Sequence, residues 1–398
     1  MMKTDAGRGQ APVSQGAYTS PYLVTEARRR VDRASLSPDQ QHLFSEHSAR
    51  EQADATSGHE IPMTLRSPVS ALRVVLLLAV PATPHTPALQ PFEMVEPHMG
   101  TLFRIKLYAS SQLQAVAGFQ AAFTRIHQLD QTLSDYNPTS ELMQLCGRPP
   151  GQPVHVSFDL YRVLEASQEL SRASGGAFDV TEATVIRLWR EARRTKQLPN
   201  ASALQEAGEH SGFSKLTLDA VHHTVTLAQP GMLLDLGGIA KGYAADEALV
   251  ALRAQGIRSA MVAASGDIAV SDAPPDRPGW QIGVDSVDLP QATFTRILVV
   301  SNAAVSTSGD TEQFVDINGQ RYSHIIDPKT HQALTRRITV TVAAHSGIDA
   351  DSLATALCVL GPERGLELLK HYPGAEALFF AADAEPHILE SSGFHNYF

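Results

Sequence analysis

The stretch "GMLLDLGGIAKGYAADEALVALRAQG", Gly231 to Gly256, constrains this chain more than any other. An apolar run, Met232-Leu233-Leu234, leads to a glycine pair and then to residues at helical spacing. It reads as a strand that delivers Asp235 to its C-terminal end, a sharp turn at Gly237-Gly238, and a helix with Lys241 in its first turn. A helix start carries unpaired N–H groups and the positive end of the dipole, so an anion such as a phosphate fits there. The four-residue spacer and the Lys-Ser/Thr pair of a nucleotide P-loop are missing. Spacing alone leaves two readings open: a phosphate site with Lys241 beside the anion, or a tight turn with Lys241 in solvent.

Around this unit, strands and helices mix without strict alternation. "HMGTLFRIKLYA" alternates as a strand, and "LQAVAGFQAAFTRIHQLDQTL" has a helical period. Thr139 and Ser140 can cap a short helix, and "SFDLYRVLEASQELSRAS" is a second amphipathic helix ending at Gly175-Gly176. Residues 191–212 are polar with no strong period and read as an excursion, and "SKLTLDAVHHTVTLAQPG" reads as a hairpin turning near Asp219. "SAMVAA", "WQIGVDS", "TRILVVSNAAVSTSG", "FVDINGQRYSHIIDP", "ITVTVAA", "ALFFAA" and "HILES" are strand candidates; "IDADSLATALCVLGPERGLELL" is a helix broken at Gly361-Pro362. This pattern predicts an α+β fold, with mixed or antiparallel sheets and packed helices, rather than a doubly wound parallel sheet. The formal net charge of −10 argues against nucleic acid, which calls for a basic patch. An anionic ligand must therefore be held locally, by a helix end, a lysine or a metal. Cys146 and Cys358 read as free thiols, one of them core, with a disulfide or metal pair as the alternative.

The beginning of the chain differs from the rest. Residues 1–62 are polar without a sustained period and read as disordered or weakly helical. Residues 63–82 carry Arg66 and Arg73, a short apolar run from Val74 to Val80 and a small-residue exit, the three parts of a secretory signal. The run is too short to span a bilayer. The expectation is that translation starts at Met63, that 1–62 is a misannotated extension, and that the protein is exported to a bacterial periplasm. The alternative is a buried strand in a cytosolic protein. Residues 83–91 form a Pro-rich linker, and the folded domain is expected over 92–398.

Four further stretches carry chemistry. In "DADSLATALCVLG", Asp351 and Thr355 are four apart on one helix face and offer hard oxygens, suited to Mg²⁺ with Ca²⁺ as the alternative. The competing reading is a helix cap at Asp349 or Asp351 with Thr355 in the core. In "RYSHIIDPKT", His324 ends a strand before an Asp-Pro turn, as a general base or as a structural histidine. In "SGGAFDVT", Phe178 and Asp179 pair an aromatic with a carboxylate, which can hold a heteroaromatic ring or stabilise a turn. "STSGD", Ser306 to Asp310, reads as a polar turn.

Taken in order, "HMGT", "LSDYNPTSEL", "SGGAFDVT", "DLGGIAKGYAAD", "SGDI", "STSGD", "HIIDPKT" and "DADSLATALCVLG" resemble the ApbE-type FAD:protein FMN transferases over about residues 92–398. The resemblance implies a T-fold-like architecture with the FAD site between two lobes. It implies that FAD binds with Mg²⁺ at its diphosphate, that FMN passes to a threonine hydroxyl of a target protein as a phosphoester, and that AMP is released. Implied acceptors are flavin-bearing subunits of membrane redox complexes, sodium-pumping NADH:quinone reductase (Nqr) and Rnf-type, which would bring the protein to the inner membrane.

Carried over by position, Met99, Tyr136, Ala177, Phe178, Asp179, Asp235, Lys241 and Ile326 match FAD contacts. The Gly238 carbonyl, Asp351 and Thr355 match metal ligands, and His324 matches the base on the acceptor hydroxyl. Ser265 and His331 stand at usual glycines, and Ala333 at a usual proline. These departures bear on the loop near the acceptor and leave the metal and FAD positions untouched. Three other readings compete: a Mg²⁺-dependent FAD pyrophosphatase with the same site, a non-catalytic periplasmic flavin-binding protein, and a structural protein whose turns do no chemistry.

Overall fold

The computed structural model describes residues 88–285, 295–310, 313–381 and 387–397. The extension, the signal-like segment and residues 83–87 of the linker lie outside the described residues. Strand pairing begins at Gln90, two residues inside the stretch read as linker.

An eight-stranded sheet organises the fold. Its strands, in order across the sheet, are Gln90–His98, Thr101–Ala109, Ala260–Ala264, Asp267–Val270, Ala303–Gly309, Ile338–Ala344, Glu376–Ala381 and His387–Glu390. Every neighbouring pair is antiparallel, and spatial order follows chain order. The sheet is thus a meander with helices and small hairpins inserted between its strands, and the α+β expectation holds.

Alternation along the strands serves two faces. Ile338, Val340, Val342 and Phe379 point into the larger core, with the helices Gln112–Leu133, Ala240–Ala254 and Gly347–Leu360. Val305, Ala343, Leu378 and Phe380 point to the opposite face, covered by the hairpin Trp280–Asp285/Thr295–Val300 and by Phe394. A third apolar cluster, around Trp189, joins the helices Ala183–Thr195 and Ala201–Glu209 to Val315, Ile317, Ile326 and Ala333.

Several expectations need correcting. Residues 191–212 are not an irregular excursion, because the two helices just named run through most of it. The first helix buries Ala183, Val185, Trp189 and Ala192, of which only Ala192 lies within 191–212. The second adds just Leu204 and Ala207, so the stretch on its own shows little of the apolar stripe. "MLLDL" joins no strand ladder; it is an extended segment tied through the Asp235 N–H to the Val180 carbonyl at 2.8 Å. "STSGD" is mostly sheet, in Ala303–Gly309, not a turn. "TRILVVSNAAVSTSG" divides into two strands at Ser301-Asn302, where Asn302 has φ +49°. Both cysteines are free, and Cys358 is buried.

The helices Ala240–Ala254 and Gly347–Leu360 meet at glycines. A Cβ on Gly242 would run into the Gly347 carbonyl, and one on Gly347 into the Gly242 carbonyl. Asp246 accepts from the Gly347 and Ile348 N–H groups at 2.7 and 3.0 Å, capping the second helix from the side of the first. Asp351 returns the contact by accepting from the Gly242 N–H at 3.0 Å. Gly242→Ala is expected to lower stability by about 3 kcal/mol, as overpacked cores do. Chemical denaturation checks this, and a loss below about 0.5 kcal/mol contradicts so close a crossing.

Candidate functional site

A cleft of about 1000 Å³ opens at the N-terminal end of the Ala240–Ala254 helix. Met99, Tyr136, Ala177, Phe178, Asp179, Asp235, Gly238, Lys241, His324, Ile326, Asp351 and Thr355 all line it. Residues from six separate stretches of sequence are therefore brought to one surface.

One wall is a cluster of charge. Lys241 sits at the second position of its helix, with Nζ 3.0 Å from Asp267 Oδ2, 3.5 Å from Asp351 Oδ2 and 2.8 Å from the Gly237 carbonyl. The ammonium is neither in open solvent nor free for an anion alone; two nearly buried carboxylates already hold it. Burial works against its charge, but Asp267 and Asp351 outweigh burial and raise the lysine above its ordinary range. Burial raises the Asp351 carboxyl, nearby Asp267 adds to the rise, and Lys241 opposes it. Asp267 also accepts from Ser306 Oγ at 2.5 Å.

Thr355 lies one helical turn from Asp351, with Oγ1 3.4 Å from Ser308 Oγ. Gly238 packs so close that a Cβ there would stand 3.0 Å from Thr355 Oγ1. Neither Gly237 nor Gly238 adopts a left-handed backbone, so the glycine at 238 serves close approach rather than an unusual turn. The helix start is also less open than its sequence suggests: the Ala240 N–H bonds the Leu236 carbonyl, and Gly242 is taken by Asp351.

A second cluster of charge centres on Arg190, which the sequence reading missed. Its guanidinium donates to Asp135 at 2.5 Å and to Asp235 at 2.6 Å, and lies over the Tyr136 ring at 4.5 Å from the centroid. Asp235 accepts from the Gly237 N–H at 2.8 Å as well, so both its oxygens are engaged. Burial and the neighbouring Asp135 raise Asp235, while Arg190 pulls it down. Asp179 is similarly occupied: Oδ1 accepts from the Thr181 N–H and hydroxyl, and Oδ2 from the Phe213 N–H. Its carboxylate shapes the turn that presents buried Phe178.

His324 stands on a third side. Its Nδ1 lies 3.1 Å from the Gln313 carbonyl, which can only accept, so the neutral ring carries its proton on Nδ1 and leaves Nε2 basic. Burial lowers its pKa to about 4, helped by Arg193 and Lys241 and opposed by the Gln313 bond. Its ring is therefore neutral across the physiological range.

The glycine departures have a backbone reading. Ser265 and His331 adopt φ +56° and +57°, the left-handed region that glycine favours. Ser265 Oγ lies 2.6 Å from Thr101 Oγ1, and His331 Nδ1 lies 2.9 Å from Glu182 Oε2.

Comparison with known proteins identifies the family. The ApbE family model matches residues 99–379, and the chain belongs to the ApbE family. An FAD:protein FMN transferase of Treponema pallidum is 36% identical over 303 residues, covering 72% of this chain and 83% of the relative. One of Vibrio cholerae is 30% identical over 306 residues, covering 76% and 90%. Among solved structures, the flavin transferase ApbE of Vibrio cholerae superposes with a TM-score of 0.70 at 28% identity, over 78% of this chain and all of that one. The Pseudomonas stutzeri flavinyl transferase ApbE gives 0.69 at 28% identity, over 78% and 98%.

Arg190→Ala strands Asp235 and Asp135 in a nearly buried setting. The expected loss is about 3–5 kcal/mol, as for other broken buried pairs. Thermal or urea denaturation checks it; a loss under about 1 kcal/mol means the two carboxylates find other partners.

Proposed function

We propose that this protein is a Mg²⁺-dependent FAD:protein FMN transferase that attaches FMN to a threonine of a target subunit and releases AMP. The observation that carries the reading is the convergence, in one cleft, of a hard-oxygen cluster, an aromatic wall and a neutral, oriented histidine.

The donors fit the metal. Asp267 and Asp351 already hold a cation, the Lys241 ammonium, between them, Thr355 lies beside Ser308, and Gly238 packs close to Thr355. Among the described residues, no three His, Cys, Asp or Glu side chains converge as a metal group. Two carboxylates with neutral oxygens and retained waters suit Mg²⁺ better than a transition metal. Asp351, Thr355 and the Gly238 carbonyl would hold it, with Asp267 beside them; bound there, it would polarise phosphoryl oxygens and neutralise charge.

The remaining work falls to the chain itself. Lys241 supplies positive charge beside the diphosphate, and Phe178, Met99 and Tyr136 offer apolar and aromatic surface to the flavin. His324 Nε2 accepts the proton of the threonine hydroxyl as its oxygen attacks the FMN phosphorus. The phosphoanhydride bond then breaks and AMP leaves with the bonding electron pair. Flavin-bearing subunits of Nqr- or Rnf-type complexes are the acceptors we favour, and a periplasmic reaction is the location that the signal-like sequence of residues 63–82 supports.

AMP release from FAD and Mg²⁺, measured with and without a co-expressed flavin-bearing subunit, tests the reading. A transferase releases AMP in step with acceptor; a pyrophosphatase releases it equally without one. Because His324 is pushed down to about 4, its base form persists as pH falls from 8 to 5 and is lost only near 4. The rate limb assigned to His324 should therefore lie near pH 4 and vanish in His324→Ala. A limb near 6.5 would contradict the burial of this ring.

A further inference from the structure

His331 stands at the tip of a small hairpin whose first arm includes His324. Ile326–Asp327 pairs with Gln332–Ala333, and Ser323 and Ile325 exchange backbone bonds with Leu334 at 2.8 and 2.9 Å. The same hairpin gives Ile326 and Pro328 to the cleft. Its tip is fastened twice to the facing wall. His331 Nδ1 lies 2.9 Å from Glu182 Oε2, and the Trp189 indole N–H donates to the His331 carbonyl at 3.0 Å.

Glu182 ends the short turn Val180–Glu182, directly after Ala177, Phe178 and Asp179, and itself lines the cleft. It is 2% exposed. Burial pushes its carboxyl up to about 7; His331 pulls it down, and Asp179 raises it further. The imidazole also packs against Gly208, where a Cβ would collide with the ring. A histidine holding φ +57° at a tip that glycine would fit without strain is kept there by its side chain, and the side chain's polar partner is Glu182.

We propose that His331 is a positioning residue for the transfer reaction: through Glu182 it locks the hairpin that carries His324 onto the wall that carries Phe178. This rests on the transferase reading of the same cleft. A loosened hairpin lets the His324 ring and the acceptor hydroxyl drift from alignment while the Lys241 and Asp351 cluster, held by Asp267 and Gly242 outside the hairpin, stays intact. Water, being small and needing no docking, is less affected than an acceptor protein, so loosening shifts the outcome from transfer toward hydrolysis.

His331→Gly removes the side chain at a φ that glycine adopts without strain, so the turn itself is not put under strain. His331→Asn tolerates the left-handed conformation and restores a donor near the Nδ1 position. With FAD, Mg²⁺ and a co-expressed flavin-bearing subunit, His331→Gly should lower kcat for transfer about tenfold and change the KM for FAD less than twofold. The fraction of AMP released without transfer should rise. Asn should recover most of the rate, and Glu182→Leu combined with His331→Gly should be no worse than Glu182→Leu alone.

Hydrogen exchange of free wild type and variants provides an arm that needs no acceptor. Peptides covering 323–334 should exchange faster in His331→Gly and recover in His331→Asn, with the Gly347–Leu360 helix unchanged. If wild type never transfers FMN, the transferase reading fails, and exchange alone then decides whether the clamp exists. Wild-type exchange in His331→Gly overturns the clamp. Faster exchange with an unchanged transfer rate and product ratio overturns its positioning role.

Discussion

The close crossing of the helices Ala240–Ala254 and Gly347–Leu360 at Gly242 and Gly347 is the contact on which the cleft depends. Only two glycines allow backbones to approach so nearly, and the approach is sealed from both sides. Asp246 of one helix caps the other, and Asp351 of the second accepts from Gly242 of the first. Asp351 thus does two jobs with one carboxylate. It satisfies a buried N–H, and it stands beside Lys241 as half of a cation-holding pair. Its partner Asp267 arrives from the turn between two central strands, held by Ser306 of the next strand. Sheet and helices therefore meet chemically at the same point where they pack.

The distribution of charge follows from this frame. An acidic chain that takes an anionic substrate needs cations confined to one place. Lys241 and Arg190 both stand at the cleft, each balanced by a pair of nearly buried aspartates. Paired in this way, the basic groups stay charged despite burial, and the aspartates avoid the cost of standing alone. His324 is the contrast. Burial and two nearby basic residues keep it neutral, and the Gln313 carbonyl fixes which nitrogen is free.

Much of this was legible in the sequence, for identifiable reasons. Asp351 and Thr355 share a helix face by spacing, and the glycine pair before Lys241 marks a close approach. Arg190 was not legible. It is one of four arginines in its helix, with nothing local to single it out, and its partners, Asp135 and Asp235, are 55 and 45 positions away. "MLLDL" looked like a strand because it is apolar; it is buried by packing instead, with its polar backbone met in part by Val180. The serine and threonine run of "STSGD" resembles a turn in isolation. In the sheet, Ser306 and Ser308 face Asp267 and Thr355, so polarity there reflects the cleft rather than solvent. His331 registered only as a departure from glycine, because a tertiary contact with Glu182 leaves no local pattern.

The central claim is that this cleft joins FMN to a threonine of another protein. Its most direct test is intact-protein and peptide mass spectrometry of flavin-bearing subunits co-expressed with this chain or with its Asp351→Ala variant. The account predicts FMN mass on a single threonine with the wild type and none with the variant, although the variant still binds FAD. Unmodified subunits in both, with AMP accumulating in the wild type alone, would contradict it and leave a pyrophosphatase.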